Sequence, residues 1–193
     1  MKLQNKETWI EKMEKMVEEQ IAASTKIFQN LPEEALLFSV AEAWSAAACI
    51  DHLNSYAAFY LPRVKKVLAT QRQTKDSTPI KLSWLGTYFI TMMKPVENGK
   101  KFKAMKKHYP NAITNNPHKI VADFIQYLEE ILVMLSRARF SNLNRGRIGS
   151  SISHLLRLRP CDTIEFLLVH NERHLIQAKK QVKAYQNHHA LEK

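Results

Sequence analysis

Glycine is so scarce in this chain that most sheet folds are out of reach. Only four glycines and seven prolines serve 193 residues, whereas a sandwich or barrel that turns every ~8–12 residues needs many more of both. Helix is the remaining economical way to order the backbone. With 45% hydrophobic and 24% charged residues, the composition fits one globular domain, residues 1–193, with a sizeable core.

The apolar residues follow the helical repeat. Ile10, Met13, Val17, Ile21 and Phe28 fall on a 3–4 spacing, which predicts a first helix from about residue 6 until Asn30–Pro32 ends it. The second long segment has two possible starts. Ser39 with Glu42 forms a capping box, and Ser45 caps a later start after Trp44. Pro62 is expected to kink or end this helix, because proline has no amide proton and its ring crowds the preceding turn.

Residues 71–116 hold one short helical candidate, Trp84 to Met93, and much basic loop. A connection this long suits parallel or distant neighbours; an up-down hairpin does not need it. Asn116 as N-cap and Pro117 at the first helical position open a third helix, whose stripe is Val121, Phe124, Leu128, Ile131, Leu132 and Leu135. Asp162 and Glu165 stand where the N-cap and third residue of a fourth helix would be, running to about Tyr185. The expected fold is an all-α four-helix bundle, with helices near 6–30, 45–70, 117–139 and 162–186 and a long crossover between the second and third.

The net charge of +11 is concentrated in two places. Lysines crowd the run from Lys94 to Pro110, and six arginines (137, 139, 145, 147, 157 and 159) cluster before the fourth helix. A solvated basic surface accounts for both, and no nucleic-acid recognition motif accompanies them. Nucleic-acid association is therefore the least supported reading. The first residues carry charge throughout without an apolar h-region, and nowhere do about 18 apolar residues run together. A soluble, cytoplasmic protein is expected, with no membrane partner. Cys49 and Cys161 are too few for a disulfide framework and are expected to stay thiols.

Chemistry enters with the histidines. His170 and His174 lie one turn apart, about 40° around the helix, so both imidazoles project to one side and can share an ion. A zincin motif would place glutamate directly after the first histidine. Asn171 occupies that position, and Glu172 points away as a surface residue. A third ligand is needed, and His52 is the best placed, being mid-helix among Ala48, Cys49, Leu53 and Tyr56. His108, His118, His154, His188 and His189 fall in loops, at helix ends or in a tail, and are expected at the surface. Cys49, one turn before His52, is expected to act as a small buried hydrophobe rather than a thiolate ligand. Three neutral imidazoles would leave coordination positions for water or substrate, as in catalytic zinc sites. Tyr56 is the one further acid-base residue that helix phase puts beside them.

Trp44 and Ser45 leading to His52, followed much later by His170-x-x-x-His174 and Gln177, resemble the DinB-like superfamily, four-helix metalloproteins that include the bacillithiol transferases. The resemblance spans the second to fourth helices and favours Ser45 as the second helix's start. It implies a divalent metal, zinc or nickel, on His52, His170 and His174. Gln177, seven residues after His170 on the same stripe, is a candidate for orienting a ligand, with Tyr56 as a further neighbour of the site. The implied activities are conjugation of a low-molecular-weight thiol to an electrophile and thiol-dependent isomerisation, and many members form homodimers. A metal-dependent transferase or hydrolase acting on a small molecule is the leading reading. A non-catalytic metal or small-molecule binding module is the alternative.

Overall fold

The computed structural model describes residues 3–72, 74–95, 104–111 and 116–191. Six α-helices and almost no strand are found there. The helices are α1 (Lys6–Ile27), α2 (Glu33–Leu37), α3 (Ala46–Ala69), α4 (Trp84–Met93), α5 (Pro117–Ala138) and α6 (Pro160–Leu191), with a 3-10 turn at Lys106–His108. Two-residue strands β1 (Ile148–Gly149) and β2 (Arg157–Leu158) pair antiparallel as a hairpin.

The bundle consists of α1, α3, α5 and α6. Each packs against two others, in the cyclic order α1, α5, α3, α6. Side-chain contacts give the directions. Asn54 bonds the Ile120 carbonyl and Lys65 reaches Glu130, so α3 and α5 run parallel. Trp9 bonds Glu165 and Gln20 bonds the Leu168 carbonyl, so α1 and α6 run parallel too. Lys6, at the start of α1, meets the Arg139 and Ser141 carbonyls just past the end of α5, so those two are antiparallel. The long crossover is thus the physical requirement of joining two parallel neighbours. Much of its lysine-rich part, residues 96–103, lies outside the described residues.

Caps fix where the elements begin. Ser45 accepts from Ala48 N at 3.1 Å, which decides the start of α3. Asn116 accepts from Lys119 N at 3.0 Å, with Pro117 at the first helical position. The core runs along the bundle through residues such as Trp9, Met13, Leu53, Leu61, Phe124, Leu128, Ile164 and Leu168, all buried.

Three expectations change. Pro62 does not end α3, which continues to Ala69. The carbonyl it deprives of a partner belongs to Ala58, on the exposed face where water serves it, while Leu61, Val64 and Leu68 pack below. The fourth long helix starts at Pro160, so Asp162 is no N-cap: it lies in the first turn and accepts from Ser83 N (2.7 Å), Ser83 Oγ (2.6 Å) and Arg159 N (2.9 Å). Glu165 likewise serves tertiary structure, accepting from Trp9 Nε1 at 2.8 Å. Lastly, α6 passes Tyr185 and reaches Leu191, because Phe38 packs on Tyr185 and His188, with ring centroids 5.5 and 5.9 Å away.

Candidate metal centre

Antiparallel packing of α3 on α6 brings His52 opposite the pair His170 and His174. The ring centroids lie 5.2 Å (52–170), 4.5 Å (52–174) and 4.7 Å (170–174) apart. One nitrogen from each ring falls within 4.8 Å of the others, a spacing at which the three could hold one ion. His52 and His170 are buried and His174 is half-buried.

The tautomer of His52 follows from its partner. Its Nδ1 lies 2.7 Å from the His108 carbonyl, which can only accept, so Nδ1 carries the proton and Nε2 keeps its lone pair. His170 Nδ1 and His174 Nδ1 are buried without a hydrogen-bond partner. Burial keeps all three rings neutral. It holds the His170 pKa well below the ordinary value, with the neighbouring His174 and His52 adding to the effect. It lowers His174 to about 3, with His52 adding and the Gln177 side-chain hydrogen bond opposing. His52 is lowered by burial too, partly offset by the His108 carbonyl and Asp51. Neutral imidazoles with orphaned nitrogens and, among the described residues, no carboxylate bonded to them are a donor set that fits zinc or nickel.

Aromatic rings enclose the cluster. Trp44 lies 4.9 Å from His52 and stacks on His174 at 6.0 Å. It directly precedes the N-cap, and its carbonyl receives the Cys49 thiol at 3.9 Å, a staple across the first turn of α3. Burial pushes that thiol up to about 12, so Cys49 is a packed hydrophobe and lies outside the histidine group. Tyr56 stands 4.5 Å from His170 and 5.0 Å from His52, and burial pushes its phenol up to about 12. Gln177 is exposed on the same stripe of α6, and Glu172 points to solvent.

His108 corrects the expectation of a surface histidine. It is 3% exposed, bonds Ser55 Oγ through Nδ1 at 2.9 Å and stacks on Tyr56 at 4.0 Å. Its carbonyl is the one that orients His52. Burial and the adjacent Lys107 lower its pKa to about 4. A 3-10 turn inside a basic loop has no periodicity, and the one local signal was the Tyr109-Pro110 pair that follows.

A family model described as the DinB superfamily matches residues 16–178. The chain belongs to the DinB superfamily. No curated protein and no solved structure matches it. The DinB match takes in Trp44, Ser45, all three clustered histidines and Gln177. Among the described residues, no helix is long and apolar enough to cross a membrane.

Proposed function

We propose that this DinB-superfamily chain is a metal-dependent enzyme, a thiol-dependent S-transferase or hydrolase acting on a small molecule, with His52, His170 and His174 holding one zinc or nickel ion. The observation that carries the reading is the convergence of three neutral imidazoles from two helices, two of them with buried, unpartnered nitrogens. When bound, the ion would supply Lewis acidity that makes a thiolate or hydroxide available near neutral pH.

The protein's own groups hold and shape the site. The His108 carbonyl fixes the orientation of His52, Tyr56 stays a neutral phenol able to donate, and Trp44 shields the rings from water. Gln177, at the exposed edge, is placed to orient a ligand or the His174 ring. We assign the same protein a homodimeric state, a cytoplasmic location and a single domain over residues 1–193.

A binding module without turnover is the second reading. It is favoured by one observation: among the described residues no carboxylate bonds a site ring, so Tyr56, lifted to about 12, is the only evident proton-transfer group. Elemental analysis of untagged protein, followed by a thiol-conjugation screen with the metal found, separates the two. Turnover that chelation abolishes supports the enzyme. Stoichiometric metal without turnover supports the module, and absence of bound zinc or nickel overturns both.

A further inference from the structure

A cavity of about 380 Å³ is left without a task by the reading above. It is walled by Phe59 and Arg63 of α3, Lys107 of the 3-10 turn and the serine-rich tip of the hairpin, Gly149 to His154. That volume is at the small end of ligand pockets. No acidic residue lines it.

The two cations are held in place. The Arg63 guanidinium donates to the Phe59 carbonyl and lies 3.7 Å from the centroid of the Phe59 ring, and Lys107 Nζ lies 4.8 Å from the same centroid. Neither has a carboxylate partner among the described residues. Two like charges held at one aromatic ring repel each other, and an anion bound in the cavity that both line offsets that cost. The hairpin adds a neutral donor. Ser153 Oγ accepts from Leu155 N at 3.3 Å, which leaves its O–H to donate, and the tip is braced where Ser151 N donates to the Tyr60 hydroxyl at 2.8 Å.

We propose that this cavity binds an oxyanion, the carboxylate or phosphate group of a small molecule, between Arg63 and Lys107 with the Ser153 hydroxyl as a further donor. Phe59 stands 6.0 Å from the His108 ring, His108 stacks on Tyr56, and Tyr56 lies 4.5 Å from His170. Three packed rings, those of Phe59, His108 and Tyr56, stand between the cations and the histidine cluster. The oxyanion site is thus separate from the histidine cluster, and binding there does not depend on the metal-dependent reading.

Isothermal titration calorimetry with inorganic phosphate and with malonate, on zinc-loaded and chelator-treated full-length protein, tests the site. Both forms of the wild type should bind at least one probe saturably, and the tighter probe names the preferred group. Arg63→Gln and Lys107→Gln, at exposed positions, should each weaken binding about tenfold or more, the size of one charge-assisted hydrogen bond. Lys66→Gln, an exposed control on α3 outside the cavity, should change it less than about twofold. Zinc content should be the same in all variants. Absence of saturable binding, equal weakening by Lys66→Gln, or binding that needs zinc and ignores Arg63 and Lys107 would overturn the proposal. Because the chelated protein is titrated as well, failure of the metal site leaves this result readable.

Discussion

Gly86→Ala is the most local test of how α4 holds the helix that carries two of the site histidines. A Cβ at position 86 would stand 2.3 Å from Asp162 Cγ and Oδ1 and 2.6 Å from its Cβ. Asp162 is fully buried and its carboxylate accepts three bonds, from Ser83 N, Ser83 Oγ and Arg159 N. Ser83 Oγ in turn caps Gly86 N at 2.9 Å. The carboxylate cannot retreat without stretching those bonds, and each buried donor it abandons costs ~1–3 kcal/mol. Alanine returns ~0.5–1 kcal/mol of helix propensity over glycine. The net expectation is a loss of ~2–4 kcal/mol, or ~5–15 °C in melting temperature for a chain of this size. Urea denaturation followed by circular dichroism measures it. Gly149→Ala is the control, since its Cβ meets nothing nearer than 3.5 Å. Asp162→Ala combined with Gly86→Ala should cost less than the two losses added, because the clash and the bonds share one carboxylate. A Gly86→Ala protein as stable as wild type would refute the close approach of α4 to Asp162.

Three further outcomes follow from the buried charges and rings. The depressed histidines bind protons in the unfolded chain before they do in the folded one, so their contribution is whole above pH ~6.5 and is lost as pH falls towards the folded values, about 3 for His174 and about 4 for His108. The unfolding free energy from urea denaturation between pH 6.5 and 5, above the carboxylate range, should fall by up to ~1.4 kcal/mol per pH unit for each such ring, and a flat profile would contradict their burial. Lys6→Met should cost ~2–4 kcal/mol, because the ammonium donates to the Asp76, Arg139 and Ser141 carbonyls and is lost with its Asp76 pair; chemical denaturation reads it, and a stabilised variant would refute it. Trp9→Phe removes the indole donor to Glu165 Oε2 and should cost ~1–3 kcal/mol in the same assay, with no change meaning that the bond contributes nothing.

What the sequence made legible was whatever is decided within a few residues. The apolar stripes, the Asn116–Pro117 start and the short helix at Trp84 are local patterns, and the structure contains them. His170 and His174 share a face by helical phase alone, and His52 could be proposed because it interrupts an apolar run. The misread features depend on distant partners. Asp162 and Glu165 have the spacing of a capping box, but Ser83 and Trp9, far away in the chain, claim their oxygens. Pro62 is tolerated because of which face of α3 it occupies, a property of the whole bundle. His108 matters through its main-chain carbonyl, to which any residue type contributes equally, so no residue identity could announce it.

The central claim, that the histidines of α3 and α6 hold a metal, is tested most directly by zinc-dependent melting of three proteins. Zinc at ~100 times its dissociation constant stabilises the folded state by ~2.7 kcal/mol, or ~5–10 °C here. Wild type should gain that shift, and so should Glu172→Ala, whose side chain is exposed two residues from each of His170 and His174. His174→Ala should gain little. Equal responses from all three would mean that the cluster is a set of packed helix residues and would contradict the proposed function.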